Sequence, residues 1–181
     1  MNIEELRKDL AIRQKKGLPF IMASVILWTG IFIVWILPIQ DVFTRNLFTF
    51  MCATPLVPIA YAFSKLIKAE FSVKNNPLSN LGLLFTANQG LYILIAMWAY
   101  SQAPYSMVMI LAIIFGAHLL PYSWIYKSKA YFIMSIFIPL VMLIVGVTVG
   151  TERVYIIPLL MIVIDTVFSL WLFIEIRNIN H

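Results

Sequence analysis

Charge is scarce in this chain, and so are cysteine, histidine and glycine. Only 12% of its 181 residues are Asp, Glu, Lys or Arg, about half the share that soluble domains carry. A fold surrounded by water could not cover the remaining apolar side chains. The single cysteine, Cys52, excludes an internal disulfide. With His118 and His181 as its only histidines, the chain offers poor ligand sets for zinc or haem. It has no His-Glu-x-x-His, no Gly-x-Ser-x-Gly, no glycine-rich phosphate loop and no Cys-x-x-Cys. These absences point away from an enzyme, a metal and a cofactor.

What the chain has in abundance is hydrocarbon. Hydrophobic residues make up 62% of it and the mean hydropathy is +0.92. A helix crossing the roughly 30 Å hydrocarbon layer needs about 20 mainly apolar residues. Six such stretches fit, at about 18–39, 47–67, 81–100, 105–126, 131–150 and 155–174. The expected fold is an all-α membrane protein, a bundle of six transmembrane helices whose first partner is the lipid bilayer. The first run is too long for the apolar core of a signal peptide and no Ala-x-Ala site follows it, so it reads as a retained span. Ahead of it, residues 1–17 form a charged segment in which Asn2 and Glu5 can make a capping box. Ile3, Leu6 and Leu10 share one face there, which suits a helix lying along the bilayer surface. Residues 176–181 are expected to be a short tail.

Basic residues mark the topology. Arg7, Lys8, Arg13, Lys15, Lys16, Lys65, Lys68, Lys74, Lys127, Lys129 and Arg177 fall on one side of the six spans, and only Arg45 and Arg153 on the other. Lys and Arg flanking spans stay in the cytoplasm, so both termini are expected there, in a plasma (cell inner) membrane. The net charge of +5 therefore reflects topology and gives no reason to expect nucleic acid. Trp98, Tyr100, Tyr105 and Tyr155 at one set of span ends, and Tyr122, Trp124, Tyr126, Tyr131 and Trp171 at the other, fit interfacial belts.

Four prolines are expected to bend the spans: Pro55 and Pro58 in the second, Pro121 in the fourth and Pro139 in the fifth. Each lacks an amide proton and crowds the carbonyl four residues back. Gly146 and Gly150, like Ala112 and Gly116, have the small-residue spacing of close helix packing. A partner at such a stripe can be a neighbouring span or a second copy, which leaves room for a homo-oligomer. The three-plus-three arrangement of spans also allows an inverted repeat, although the correspondence between the halves is loose.

Polar side chains inside the spans are the candidates for function, because they are costly in hydrocarbon and seek partners or water. At 1.5 Å per residue, Asn88, His118 and Asp165 lie roughly 10 to 15 Å from the basic side. Gln89 adjoins Asn88, Tyr122 follows His118 by one helical turn, and Ser169 follows Asp165 in the same way. Together Asp165, His118, Asn88, Gln89, Ser169 and Tyr122 are expected to form a ligand or proton site for a small solute, with Asp165 the protonatable group and His118 its relay. The alternative is a non-catalytic subunit, sensor or immunity-type protein in which the same groups only fix helix packing.

The chain as a whole resembles small bacterial six-span membrane proteins grouped as families of unknown function. Its most distinctive string is Gly116-Ala117-His118-Leu119-Leu120-Pro121-Tyr122. The resemblance implies a membrane location and a helical fold, and carries no mechanism.

Overall fold

Every element among the described residues is helical. The computed structural model describes residues 2–179; His181 lies outside the described residues. Nine α-helices follow one another within that range. They are α1 (Ile3–Arg13), α2 (Leu18–Ile36), α3 (Val42–Ala53), α4 (Leu56–Leu66), α5 (Pro77–Gln102), α6 (Met107–Ala117), α7 (Leu120–Ile125), α8 (Lys129–Thr148) and α9 (Ile156–Ile179). Six continuous or jointed units are long and apolar enough to cross a membrane: α2, α3 with α4, α5, α6 with α7, α8 and α9. This is a six-span, all-α membrane protein.

Caps set the boundaries. Asn2 accepts from the Glu5 amide at 2.9 Å while the Glu5 carboxylate accepts from the Asn2 amide at 2.9 Å, the reciprocal box expected for α1. Asp41 accepts from the Thr44 amide at 2.8 Å and opens α3, so the second span begins five residues before the apolar run suggests. Asn76 caps α5 with Pro77 behind it, and Ser128 caps α8. At the other end α9 continues to Ile179, which brings Arg177 into the helix instead of leaving it in a tail.

The prolines act unequally. The second span divides between Ala53 and Leu56, with Pro55 as the cap of α4 and Pro58 in its first turn, positions where a missing amide proton costs nothing. The fourth span divides at His118 and Leu119, with Pro121 in the first turn of α7. Pro139 lies inside α8, which stays unbroken. There its ring sits against Gly116: a Cβ at Gly116 would stand 2.6 Å from the Pro139 ring and 2.7 Å from Ile138. Only a glycine lets α6 and α8 approach this closely. Gly146 serves the same interface, where a side chain would collide with Met109; Gly150 meets nothing.

Packing is unevenly distributed. The first span, α2, lies against α9 on one side and against α3 and α4 on the other, while α6 and α8 form a second close pair. The fifth element, α5, packs on α6 and is the least buried span of the six. Core residues such as Ile31, Met107, Ile138, Met161 and Phe168 are enclosed. Trp28, in mid-span, packs edge to face on Phe115 with ring centres 6.2 Å apart.

Both described ends lie on one side of the bundle, the terminal face. Here α1 runs beneath the spans: it contacts α5, α7 and α9 and buries Leu10 and Ala11. Polar straps fix it. Asn76 donates to the Leu6 carbonyl at 2.8 Å and to Asp9 at 2.9 Å, Arg13 holds Glu70 through two bonds of 2.7 and 2.6 Å, and Lys127 pairs with Glu4. Lys15, Lys16 and Gly17 then turn the chain sharply into α2 with φ of 46°, 49° and 68°, a left-handed run that is costly for the two lysines. Lys15 is held by the Ile67 carbonyl and Lys16 by Glu175. Gly17 is required twice over, because a Cβ there would also stand 2.9 Å from the Tyr131 hydroxyl.

Candidate functional site

A cavity of about 290 Å³ opens in the terminal half of the bundle, walled by the start of α2, by α4, α5 and the α6–α7 joint. It exists because α5 leans on α6 and α1 while the jointed second span follows α2, leaving the space between α4 and α5 unfilled. Val57 and Leu83 line it and are also exposed on the outer surface of the bundle. The space therefore reaches the flank of the protein between α4 and α5. Its floor is the turn after α1, where Gln14 accepts from the Tyr126 hydroxyl at 2.9 Å and reaches Ser79 at 3.4 Å.

His118 stands on the wall of this cavity, at the point where α6 ends. Its Nδ1 is in hydrogen-bond contact with the Phe115 carbonyl. A carbonyl only accepts, so Nδ1 carries the proton and the neutral ring keeps a lone pair on Nε2. Among the described residues Nε2 has no hydrogen-bond partner, which leaves it free to accept a bond. Phe115 and Tyr122 pack on the imidazole edge to face, with centres 5.5 and 6.0 Å away. The Tyr122 hydroxyl meets Thr86 Oγ1 at 2.8 Å and donates to the Gly82 carbonyl at 3.1 Å, tying α7 to α5. Gln89 lines the same space from α5.

Asp165 lies elsewhere. It is fully buried on α9, facing α2, and is not on the cavity wall. Its Oδ2 is 2.7 Å from Ser24 Oγ, which is also 2.7 Å from the Ile21 carbonyl. One hydroxyl proton cannot fully serve two acceptors; a proton on Asp165 would let the carboxyl donate to Ser24 and Ser24 donate to Ile21. The other carboxyl oxygen, Oδ1, and the Ser169 hydroxyl are buried without a partner among the described residues. Ile21 belongs to the cavity wall, so Asp165 stands two hydrogen bonds behind it, through Ser24.

Asn88 is turned outward. It is exposed on α5 and its amide donates to Tyr92 one turn further along the same helix, at 2.9 Å. The structure thus brings His118, Tyr122 and Gln89 to one cavity, holds Asp165 and Ser169 in the α2–α9 interface, and leaves Asn88 on the perimeter. Equal depth did not imply one cluster: rise per residue sets depth, whereas direction turns by about 100° per residue. Adjacent Asn88 and Gln89 diverge for that reason. Among the described residues, no three His, Cys, Asp or Glu side chains stand together to hold a metal ion.

The profile of a family of unknown function, DUF7010, matches residues 3–175. The chain belongs to this family. No curated protein and no solved structure matches it. The family description names no activity, so the chemistry of this DUF7010 chain rests on its own residues.

Several polar groups of the site escape a reading by span. Ser24 sits alone in an apolar run, and its role depends on Asp165 141 residues away. Gln14 and Tyr126 flank spans and look like interface residues until they meet. Lys16 looks like a topology marker, yet it is buried and bonds Glu175 at 2.6 Å, with Ser128 donating to the same carboxylate oxygen at 2.7 Å.

Proposed function

We propose that this protein sits in the plasma membrane with both termini cytoplasmic and binds and moves a small solute through the cavity beside His118. The observation that carries the reading is His118, whose Nε2 has no hydrogen-bond partner among the described residues, on the wall of a cavity between α4 and α5. Polar side chains at membrane depth are kept where they serve a path or a site. In this reading His118, Gln89 and Tyr122 form the ligand side of the site. The Asp165 carboxyl is the proton-binding group, acting through Ser24 and the Ile21 backbone behind the wall, with Ser169 beside it. Asn88 takes no direct part. The joints at Pro55 and at Pro121 let α4 and α7 swing relative to the rest of their spans.

A second reading draws on Asp165 itself. The residue is wholly enclosed and hydrogen-bonded to Ser24 of the facing helix, which also suits a clamp between α2 and α9 in a non-catalytic subunit, sensor or immunity-type protein.

One thiol-labelling experiment separates the two. In a Cys52→Ser background, Gln89→Cys is exposed to a membrane-impermeant maleimide in inverted and in right-side-out vesicles. Solute handling predicts labelling from the cytoplasmic side with a pH dependence that departs from that of a solvent-exposed control thiol, whose rate follows its own thiolate fraction, and the departure is lost in Asp165→Asn although the chain stays folded in the membrane. A thiol that reacts from neither side overturns the reading in favour of the packing role.

A further inference from the structure

We infer that the ligand of the cavity is a neutral or cationic amphiphile, with an apolar ring-bearing body and an O–H or N–H donor that bonds His118 Nε2. This rests on the solute-binding reading and names the class of solute.

The polar part of the wall holds neutral groups and one acid, and no base other than the imidazole. Neutral His118 presents a lone pair, and no Lys or Arg lines the wall. The one charged residue on the wall is Glu70, an acid, and Arg13 is already engaged with it through two of its three guanidinium nitrogens. A carboxylate or phosphate entering here would lose its water and meet no cation, which is costly in an apolar setting. An ammonium or hydroxyl group would meet the imidazole lone pair instead. The rest of the wall suits an apolar body, because Phe20, Leu56, Phe115 and Leu119 offer hydrocarbon and ring edges. The gap between exposed Val57 and exposed Leu83 gives such a molecule a route in from the lipid. At about 290 Å³ the space is at the small end of ligand pockets, suited to a fused ring with a short arm more than to a lipid.

Three molecules sharing an indole ring and a short side arm test the class: tryptamine, tryptophol and indole-3-acetate. Radiolabelled tryptamine is bound to the full chain in phosphatidylcholine nanodiscs, empty nanodiscs are subtracted, and the other two compete. Tryptophol is expected to compete about as well as tryptamine itself, and indole-3-acetate about tenfold less well or worse. His118→Phe, which removes the acceptor, is expected to weaken tryptamine about tenfold, and His118→Gln, which keeps one, to restore most of the loss. Indole-3-acetate competing as well as tryptophol overturns the inference, as does unchanged binding in a folded His118→Phe. If none of the three binds while Gln89→Cys is labelled by maleimide, the ligand class is wrong and the cavity reading stands. If the thiol is also unreactive, both fall.

Discussion

Lys16 and Glu175 form an ion pair at 2.6 Å, with the lysine almost wholly buried, where the turn before the first span meets the end of the last. Ser128 and the Ala130 amide donate to the same carboxylate, so one acid gathers the ends of three spans. Removing one partner leaves the other buried and unmatched. Lys16→Met or Glu175→Gln alone should destabilise the chain by about 3–5 kcal/mol, whereas Lys16→Met with Glu175→Leu should recover most of the loss. Denaturant titration in detergent, followed by tryptophan fluorescence, measures all three variants.

The strap that holds α1 should open in acid. Bonding to Arg13 holds the Glu70 carboxyl below its ordinary value of 4.5, and bonding to Lys127, with Arg7 adding to it, does the same for Glu4. A carboxyl with a depressed folded value contributes stability above the unfolded value and loses it as pH falls through the folded one. The docked α1 should therefore be independent of pH above about 4.5 and loosen below it. Proteolysis at the α1–α2 turn across that range, using an acid-active protease, reads the change, and Arg13→Gln should loosen α1 even at neutral pH.

The Asp165–Ser24 contact has its own signature. Ser24→Ala takes away the only bonded neighbour of the Asp165 carboxyl and should cost about 1–3 kcal/mol. Asp165→Asn retains a group that can donate to Ser24 and should cost less. Thermal unfolding of the two variants in one detergent gives the order, and the reverse order would refute the pairing.

Gly116 has no room to grow. A side chain there meets the Pro139 ring and Ile138, so Gly116→Val should lower stability by at least about 1–3 kcal/mol, the usual penalty of overpacking. Gly150→Val, in the other small-residue pair and facing open space, should leave the melting temperature nearly unchanged.

Asn88 gives a contrasting case. It is exposed on α5 with a single bond to Tyr92, and lipid is a poor solvent for an amide. Asn88→Leu should leave folding and Gln89→Cys labelling unaltered, or raise stability slightly. A loss of oligomer on size-exclusion chromatography would instead place a second copy against this face.

The spans and the joints at Pro55 and Pro121 were legible in the sequence because they depend on local quantities: length, hydropathy and missing amide protons; Pro139, read by the same rule, lies inside the unbroken α8. The cap at Asn2 was legible for the same reason. Which polar residues meet was not. Asn88, His118 and Asp165 share a depth, but facing is decided by how whole helices rotate and lean, and α5 leans away from its expected partners. Ser24 with Asp165, Gln14 with Tyr126, and Lys16 with Glu175 are pairs between residues far apart in sequence, each unremarkable alone. The Gly-x-x-x-Gly pattern gave a close interface but only one of its two glycines belongs to it.

The two interrupted spans, α3–α4 and α6–α7, both border the void, while α8 and α9 run through unbroken. Each interruption leaves a short segment on the terminal side, Leu56–Leu66 and Leu120–Ile125. The protein thus divides into a stiff back wall and a front with two elbows. If the protein moves a solute as proposed, its bending points are Thr54–Pro55 and His118–Leu119, so locking those elbows, more than altering the back wall, would arrest the molecule in one posture.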